Sequence, residues 1–327
     1  MLLPLASLAA ALLADAALPS PAKKVRPLSD WCRCPGPTCL SGHPAFGALH
    51  DLDWVFASRE ERLERIRDRL SEVMSYSDLV GELDAGMDAD ELGDLTLQAS
   101  TWPDWPLFPG VKPVNVSNDA LGILFARGTD VQRVLSPSGT YAFVRRRLPK
   151  ATPLALWTNQ DDAGPFDVVF DAPVALPILF ERTGARGSWS TSSWQVWMSL
   201  TPAEVISQWP ALLKVRQGKP GQHVVVGGLG MGWLLAKVLA EPKVAKVTLI
   251  EENQELCDWI LPQLCGLLPV EKPVDVVVGD LFEEISDLTA DTALLDIWPA
   301  WTDISEDMRM LKRLSGGKIR RWWGWGY

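Results

Sequence analysis

The sequence predicts an α/β fold, with a mainly parallel sheet in its C-terminal part and a smaller β-rich region before it. Three observations support this. A β-branched run, Val224 to Val226, leads into the glycine-rich turn Gly227 to Gly232 and then into an apolar helical pattern. Further apolar runs beyond the turn each end in an acid. Short β-rich segments separated by Gly and Pro precede the turn.

The glycine-rich turn is the first candidate site. Gly228, Gly230 and Gly232 form G-x-G-x-G, and glycines let a backbone bend sharply and approach a ligand closely. The helix behind such a turn offers free N–H groups to an anion. The dinucleotide pattern G-x-G-x-x-G fails because position 233 is Trp. We predict a nucleotide-type site here, with an ordinary strand-to-helix turn as the alternative.

The next strands place acids at one edge of the sheet. Glu251 ends a predicted strand about 19 residues after Gly232, near the spacing at which a carboxylate meets ribose hydroxyls. Asp280 and Asp296 follow the next two strands, and ligands bind at this edge in open α/β sheets. The alternative is that these are ordinary strand-end acids. The predicted elements are Val244–Glu251, Asp275–Asp280, Thr292–Ile297, a helix Ile304–Leu314 and a last strand Ile319–Trp325.

The motifs GGLGMG, LIEEN, VVVGDLF and ALLDIWP occur in that order. In this order they resemble the successive motifs of class I S-adenosylmethionine-dependent methyltransferases, and most of all the spermidine-synthase-like branch. The lead-in from Trp197 to Glu204 also resembles that branch, and the resemblance covers roughly residues 189–327. It implies a Rossmann-like, doubly wound sheet preceded by a small β-sheet.

The resemblance also implies a cofactor, S-adenosylmethionine, and a role for each strand end. The glycines would lie under the methionine part, Glu251 would hold the ribose, and Asp280 with Leu281 would meet the adenine. Asp296 would lie beside the methionine and the acceptor, as the candidate catalytic residue. The implied cofactor-binding residues are Gly228, Gly230, Gly232, Glu251, Asp280 and Leu281.

Two departures from that branch change the expectation. Its polyamine synthases carry D-x-x-D from the position of Asp296, but position 299 here is Pro. The family sheet has seven strands, whereas we count about five. We therefore expect a SAM-dependent methyltransferase acting on a small molecule. The alternatives are an aminopropyl transferase, an NAD(P)-binding oxidoreductase and a non-catalytic SAM-binding module. A minimal sheet would leave an edge strand exposed unless the N-terminal region or a partner covers it, as in a homodimer.

Composition excludes several other classes. The net charge of -10 argues against nucleic-acid binding, which needs clustered Lys and Arg. No G-x-S-x-G motif is present, so a hydrolase of that type is not expected. Of the sixteen tryptophans, several cluster after the fourth strand and within the fifth. We expect mainly packing roles, with an aromatic wall for a planar or cationic substrate as the alternative.

The N-terminal region is harder to interpret. Residues 1–22 form an apolar leader, either a signal or a plain helix, too short for a stable membrane span. We expect a cytoplasmic protein, with targeting by this leader as the alternative. Cys32, Cys34, Cys39 and His43 could bind zinc, form a disulfide or stay free, and we assign no metal. Cys257 and Cys265 are predicted to be buried, inert thiols.

The remaining segments complete the predicted organisation. We expect a helix from Glu60 to Tyr76 and a loop from Glu82 to Gly93. Short strands are expected in an antiparallel arrangement at 120–126, 141–147, 154–157, 166–170 and 178–182. The expected units are the leader 1–22, a Cys-containing loop and helical region 23–105, a small β-rich domain 106–200 and a SAM-binding domain 201–327.

Overall fold

The computed structural model describes residues 25–32, 73–87, 92, 94–109, 111, 114–115, 130–152, 154–156, 166–183, 194–268, 272–298 and 303–326. Cys34, Cys39, His43, the leader 1–22, most of the helix predicted at 60–76 and the strand predicted at 120–126 lie outside these residues. Within them, no helix is both long enough and apolar enough to cross a membrane.

The C-terminal part and one N-terminal strand, β1 Val25–Pro27, form a six-stranded sheet of order β1-β13-β12-β11-β14-β15. The last five strands of the chain are parallel to one another, as predicted. Their crossover order is that of a doubly wound nucleotide-binding half, with β11 in the centre. The strands are β11 Gln222–Gly227, β12 Val244–Glu251, β13 Val274–Val278, β14 Ala290–Leu295 and β15 Ile319–Gly324.

Helices cover both faces of this sheet, because successive residues of its central strands point to opposite faces and are apolar and buried on both. Val224 and Val226 pack in the larger core with three helices, whereas Val225 packs on the opposite face with two others. The first three helices are α2 Pro202–Arg216, α3 Trp233–Ala240 and α4 Gln254–Leu264, and the other two are α5 Leu281–Glu284 and α6 Ser305–Leu314. The predicted doubly wound α/β fold is confirmed.

A short N-terminal strand, β1 Val25–Pro27, was not predicted. It pairs antiparallel with β13 and covers that edge of the sheet. Immediately after it, Cys32 forms a disulfide with Cys265, 233 residues later, at the end of α4. The prediction of an inert thiol is therefore wrong for Cys265, because the edge strand brings Cys32 to it. It is correct for Cys257, which is a buried free thiol.

The β-rich region contains two sheets. One is antiparallel, in the order β10-β9-β6-β5-β4, as expected. The other has the order β2-β3-β8-β7, and its predicted strands β7 and β8 pair antiparallel, as expected. Strands β2 and β3 were not predicted, and β2 pairs in parallel with β3, which pairs in parallel with β8. The prediction of a helix through Tyr76 is wrong at Val73–Met74, which form β2. The strands are β2 Val73–Met74, β3 Leu95–Leu97, β4 Val114–Asn115, β5 Asp130–Leu135, β6 Tyr141–Leu148, β7 Leu154–Leu156, β8 Phe166–Phe170, β9 Val174–Arg182 and β10 Trp194–Ser199. The predicted domain boundaries stay predictions.

The helix α1 Tyr76–Ala85 replaces part of a predicted loop. A capping box joins Ser75 and Asp78 at its start, and Gly86 ends it in a left-handed conformation. Leu79 and Leu83 are buried. The prediction of a loop from Glu82 is thus wrong at its start, because the acidic composition concealed the two buried leucines one helical turn apart.

Candidate functional site

The parallel register brings the candidate residues to one edge. Gly227 pairs with Ile250 on one side and with Leu295 on the other, and Leu295 pairs in turn with Gly324. All these strands run the same way, so the glycine turn and the acids that follow β12 and β14 meet at their carboxyl ends. Two hydrogen bonds extend the register into the loops, from Gly228 N to Ile250 O and from Asp296 N to Gly227 O, both 2.9 Å.

The three predicted glycines all have positive φ, at 89° for Gly228, 48° for Gly230 and 78° for Gly232. Each is also packed closely by protein atoms. A Cβ on Gly228 would lie 2.1 Å from the backbone oxygen of Asp296, and one on Gly230 would lie 2.0 Å from the sulfur of Met198. One on Gly232 would meet Leu264 at 2.2 Å. The turn therefore needs glycine for its conformation and its own packing, before any ligand is considered.

The centre of the turn is held from two sides. The amide of Met231 donates to the sulfur of Met198 at 2.9 Å, and its carbonyl accepts from the indole of Trp105 at 2.7 Å. Met231 is fully buried. Since Trp105 and Met198 both precede residue 201, the segments before the parallel sheet hold the turn in place. No local pattern predicts these contacts, because they join residues far apart in the chain.

Glu251 lies against the turn, as its position at the end of β12 predicts. Its carboxylate accepts from Leu229 N at 2.8 Å and from Asn253 N at 2.9 Å. Burial raises the pKa of Glu251, while these backbone bonds act to lower it. Each carboxylate oxygen can accept a second bond, so the residue has acceptor capacity left for a diol.

Asp280 and Leu281 differ from each other. Asp280 is exposed and caps α5, accepting from Phe282 N at 2.8 Å. Leu281 is buried in the smaller core with Val225 and Ile250, directly beneath Gly227. The structure brings both to the edge of the sheet. Their contact with an adenine stays a prediction.

Asp296 follows β14 and has two partners from α2 that the sequence analysis missed. The side-chain amide of Gln208 donates to Asp296 Oδ2 and to Glu204 Oε1, at 2.8 Å in each case. One amide nitrogen thus bridges two carboxyl groups. Burial raises the pKa of Asp296, and burial together with the charge of Asp296 raises the pKa of Glu204. A pair of this kind can hold or release a proton near neutral pH.

Two tryptophans that follow the last two strands are held by hydrogen bonds. The indole of Trp325 donates to Ser207 Oγ at 3.1 Å, next to Gln208, and its backbone amide donates to Leu295 O at 2.9 Å. The indole of Trp298 donates to Asp307 at 2.8 Å. Both rings are partly exposed and fixed in place. The packing role predicted for Trp323, which is buried, is confirmed.

Within the described residues, no group of three or more His, Cys, Asp or Glu side chains is arranged to hold a metal ion. Cys32 is bound in the disulfide. The other members of the predicted Cys and His cluster lie outside the described residues.

Comparisons with known proteins give partial matches to solved structures only. No family model matches the chain, and no curated protein matches it. Spermidine synthase from Thermotoga maritima is 11% identical with a TM-score of 0.30, over 58% of this chain and 59% of that one. A SAM-dependent methyltransferase from Mesorhizobium loti is 19% identical with a TM-score of 0.25, over 35% and 49%.

A third structure is coclaurine N-methyltransferase bound to N-methylheliamine and S-adenosylhomocysteine. It is 19% identical with a TM-score of 0.29, over 37% of this chain and 34% of that one. In all three cases the match spans less than two thirds of the solved chain. The function therefore has to be argued from the residues of this chain.

Proposed function

We propose that the chain is a SAM-dependent methyltransferase that acts on a small molecule, with Asp296 positioning the acceptor. One observation supports this above the others. A glycine turn, the acid Glu251 bonded to it and the acid Asp296 all meet at the carboxyl edge of one parallel sheet, at the centre of its strand order. That is where nucleotide-type ligands bind in open α/β folds.

The residues at this edge suit the cofactor. Glu251 is fixed by the amides of Leu229 and Asn253 and keeps acceptor capacity for two ribose hydroxyls. The first turn of α3 follows Gly232 and presents its amides toward the same edge. Gly228, Gly230 and Gly232 supply the turn, and Asp280 with Leu281 supply the far side of the site.

The bound cofactor would supply a methyl group on a sulfonium, ready for in-line displacement. The work left to the protein is to align the acceptor and to take or orient its proton. Asp296 suits this role, because it follows the strand next to the glycine turn and its raised pKa lets it exchange a proton near neutral pH.

One contact favours the non-catalytic alternative. The sulfur of Met198 accepts the amide of Met231 and packs against Gly230, so it occupies part of the turn that a ligand would use. Under this second candidate function, the turn is closed by the chain itself and the fold serves another purpose.

Calorimetric titration of the full chain with S-adenosylhomocysteine and NADH, in parallel, separates these functions. We expect saturable binding of S-adenosylhomocysteine alone, with a dissociation constant on the order of micromolar. Binding of NADH alone would favour the oxidoreductase. Binding of neither by a sample with a cooperative thermal transition would favour the closed, non-catalytic fold.

A further inference from the structure

The disulfide between Cys32 and Cys265 fastens the end of α4 to the segment that follows β1. Both cysteines keep part of their surface exposed, and exposed disulfides are the ones that a reductant in solution opens most readily. The remaining described cysteine, Cys257, is fully buried and free. Among the described cysteines, thiol exchange with a dissolved reagent is therefore directed to the bond between Cys32 and Cys265.

Helix α4 contacts the proposed cofactor site at both of its ends. At its start, Asn253 donates its backbone amide to the carboxylate of Glu251 and caps the helix by accepting the amide of Leu256. At its end, the side chain of Leu264 packs against Gly232, where a Cβ would lie 2.2 Å from it. A shift of the last turn of α4 therefore changes the packing that supports the glycine turn.

The last turn of α4 needs support from outside the helix. Pro262 lies in this turn, and a proline weakens a helix because it lacks the backbone N–H and crowds the preceding turn. Cys265 follows the helix directly, and its bond to Cys32 gives this turn a covalent support. Leu261 and Leu264 are fully buried, so loss of the bond should loosen the turn without unfolding the helix.

The other end of the bond belongs to a weakly packed segment. All three residues of β1 are exposed, and within residues 25–32 only Leu28 and Trp31 are buried. Strand β1 covers the edge of β13, with Val25 paired to Val277, three residues before Asp280. Opening the disulfide therefore also removes a constraint from the edge of the sheet that leads to the proposed adenine position.

We propose that the disulfide between Cys32 and Cys265 is a redox switch of the nucleotide-type site. The oxidised chain binds the cofactor tightly, and reduction weakens binding by loosening the last turn of α4 against Gly232. This inference rests on the proposed function for the identity of the ligand, but not for the local loosening. A purely structural disulfide would instead change the global stability and leave the folded site unaltered.

The switching step is a thiol–disulfide exchange with a dithiol. One thiolate of the dithiol attacks a sulfur of the bond, forms a mixed disulfide and releases the other cysteine as a thiolate, which takes up a proton. The second thiolate of the dithiol then attacks the mixed disulfide and releases the remaining cysteine, which is protonated in the same way. The protein gains two electrons and two protons, and the dithiol loses them and becomes a cyclic disulfide.

Hydrogen exchange of the full chain, read by mass spectrometry without any ligand, tests the local loosening. The oxidised chain is compared with the chain reduced by dithiothreitol, at a temperature where circular dichroism shows both to be folded. We expect exchange to become about fivefold faster or more at residues 227–232 and 260–268 and to stay unchanged in β6 Tyr141–Leu148. Unchanged exchange at residues 227–232, or an equal increase in all segments, would overturn the proposal.

Calorimetry with S-adenosylhomocysteine tests the effect on the site. We expect dithiothreitol to lower the affinity about tenfold and reoxidation to restore it. Cys265→Ser should have the low affinity in both conditions, because no other described cysteine lies on α4 near the surface. Cys265→Ala is the second variant, in case the first does not fold.

The matched control is Cys34→Ser, which removes a thiol close to Cys32 in the sequence and keeps the described bond. It should respond to dithiothreitol as the wild type does. Equal affinity of the oxidised and reduced wild type, with both forms folded, would contradict the switch.

The two measurements separate this inference from the proposed function. If S-adenosylhomocysteine binds equally to the oxidised and reduced chains, the switch is wrong and the methyltransferase proposal stands. If it binds to neither, the methyltransferase proposal fails and hydrogen exchange alone decides the switch. Faster exchange at residues 227–232 after reduction then supports the switch, and unchanged exchange overturns it.

Discussion

Two acids at one sheet edge, Glu251 and Asp296, are held in different ways. Glu251 accepts two backbone amides, whereas Asp296 receives a side-chain amide that it shares with Glu204. Backbone donors are fixed by the fold, so Glu251 is held as a rigid acceptor. The pair on the other side is joined by one glutamine and has no ion-pair partner within the part of the chain that the structure describes, so it can respond to a proton or a ligand. We therefore interpret Glu251 as the candidate cofactor-binding residue and Asp296 as the candidate residue that positions the acceptor.

The glycine turn, which lies between Glu251 and Asp296, gives the largest expected effect on stability. The amide of Gly228 donates to Ile250 O in β12, next to Glu251. Gly228 has a φ of 89°, and a Cβ on it would clash with the backbone oxygen of Asp296. We expect Gly228→Ala to lower the free energy of unfolding by about 3 kcal/mol or more, because strain and a backbone clash add. Urea unfolding followed by circular dichroism measures this.

The matched control is Gly81→Ala inside α1, where a Cβ would meet no atom within 4 Å. That change should leave stability unchanged or raise it by up to about 1 kcal/mol. Similar effects of the two substitutions would show that Gly228 does not lie in close contact with the backbone of Asp296.

The pH dependence of stability tests whether the pKa of Asp296 is raised in the folded protein. Its pKa is raised in the folded state, so its contribution is fully present below its ordinary pKa of about 4 and is lost as pH rises through the folded value. Between pH 5 and pH 8 the wild-type chain should lose stability, and Asp296→Asn should lose less, by on the order of 2 kcal/mol.

Urea unfolding at both pH values measures this difference, with Glu306→Gln as the exposed control. A pH dependence that is the same in wild type and Asp296→Asn would mean that the carboxyl has an ordinary pKa. The comparison between the two acids would then lose its electrostatic basis.

The smallest expected effect concerns Met198. Replacing it with Ala removes a weak sulfur acceptor from the amide of Met231 and opens the space beside Gly230. We expect the affinity for S-adenosylhomocysteine to rise about threefold, because the freed amide can then meet the ligand. Calorimetry measures this. A tenfold loss of affinity would instead make Met198 part of the binding surface.

The sequence predicted the parallel sheet well, because its signals are local. The strand predicted from Val244 to Glu251 has those bounds in the structure. A buried parallel strand is a largely apolar run, and here it ends at a polar residue at the edge of the sheet. Gly228, Glu251 and Asp296 were placed at one edge for the same reason. Helix α1 was missed where acidic composition outweighed the capping pattern that begins at Ser75.

The acid pair could not be predicted, because its members come from distant elements. Gln208 and Asp296 are 88 residues apart, and the pattern that contains Glu204 predicts an ordinary capping box. The pairing of Cys32 with Cys265 was missed for a similar reason, since it depends on a three-residue edge strand. Local patterns thus predicted the strands and the glycine turn of the site, but not the side chains that determine its electrostatics.

The affinity for S-adenosylhomocysteine of the wild type, Glu251→Gln and the exposed-neighbour control Glu252→Gln tests the proposed cofactor site most directly. We predict binding to the wild type and no change in the control. In Glu251→Gln we predict a loss of about 10- to 100-fold, because a charged acceptor is removed. Equal affinities in all three proteins, or no binding to a folded wild type, would contradict it.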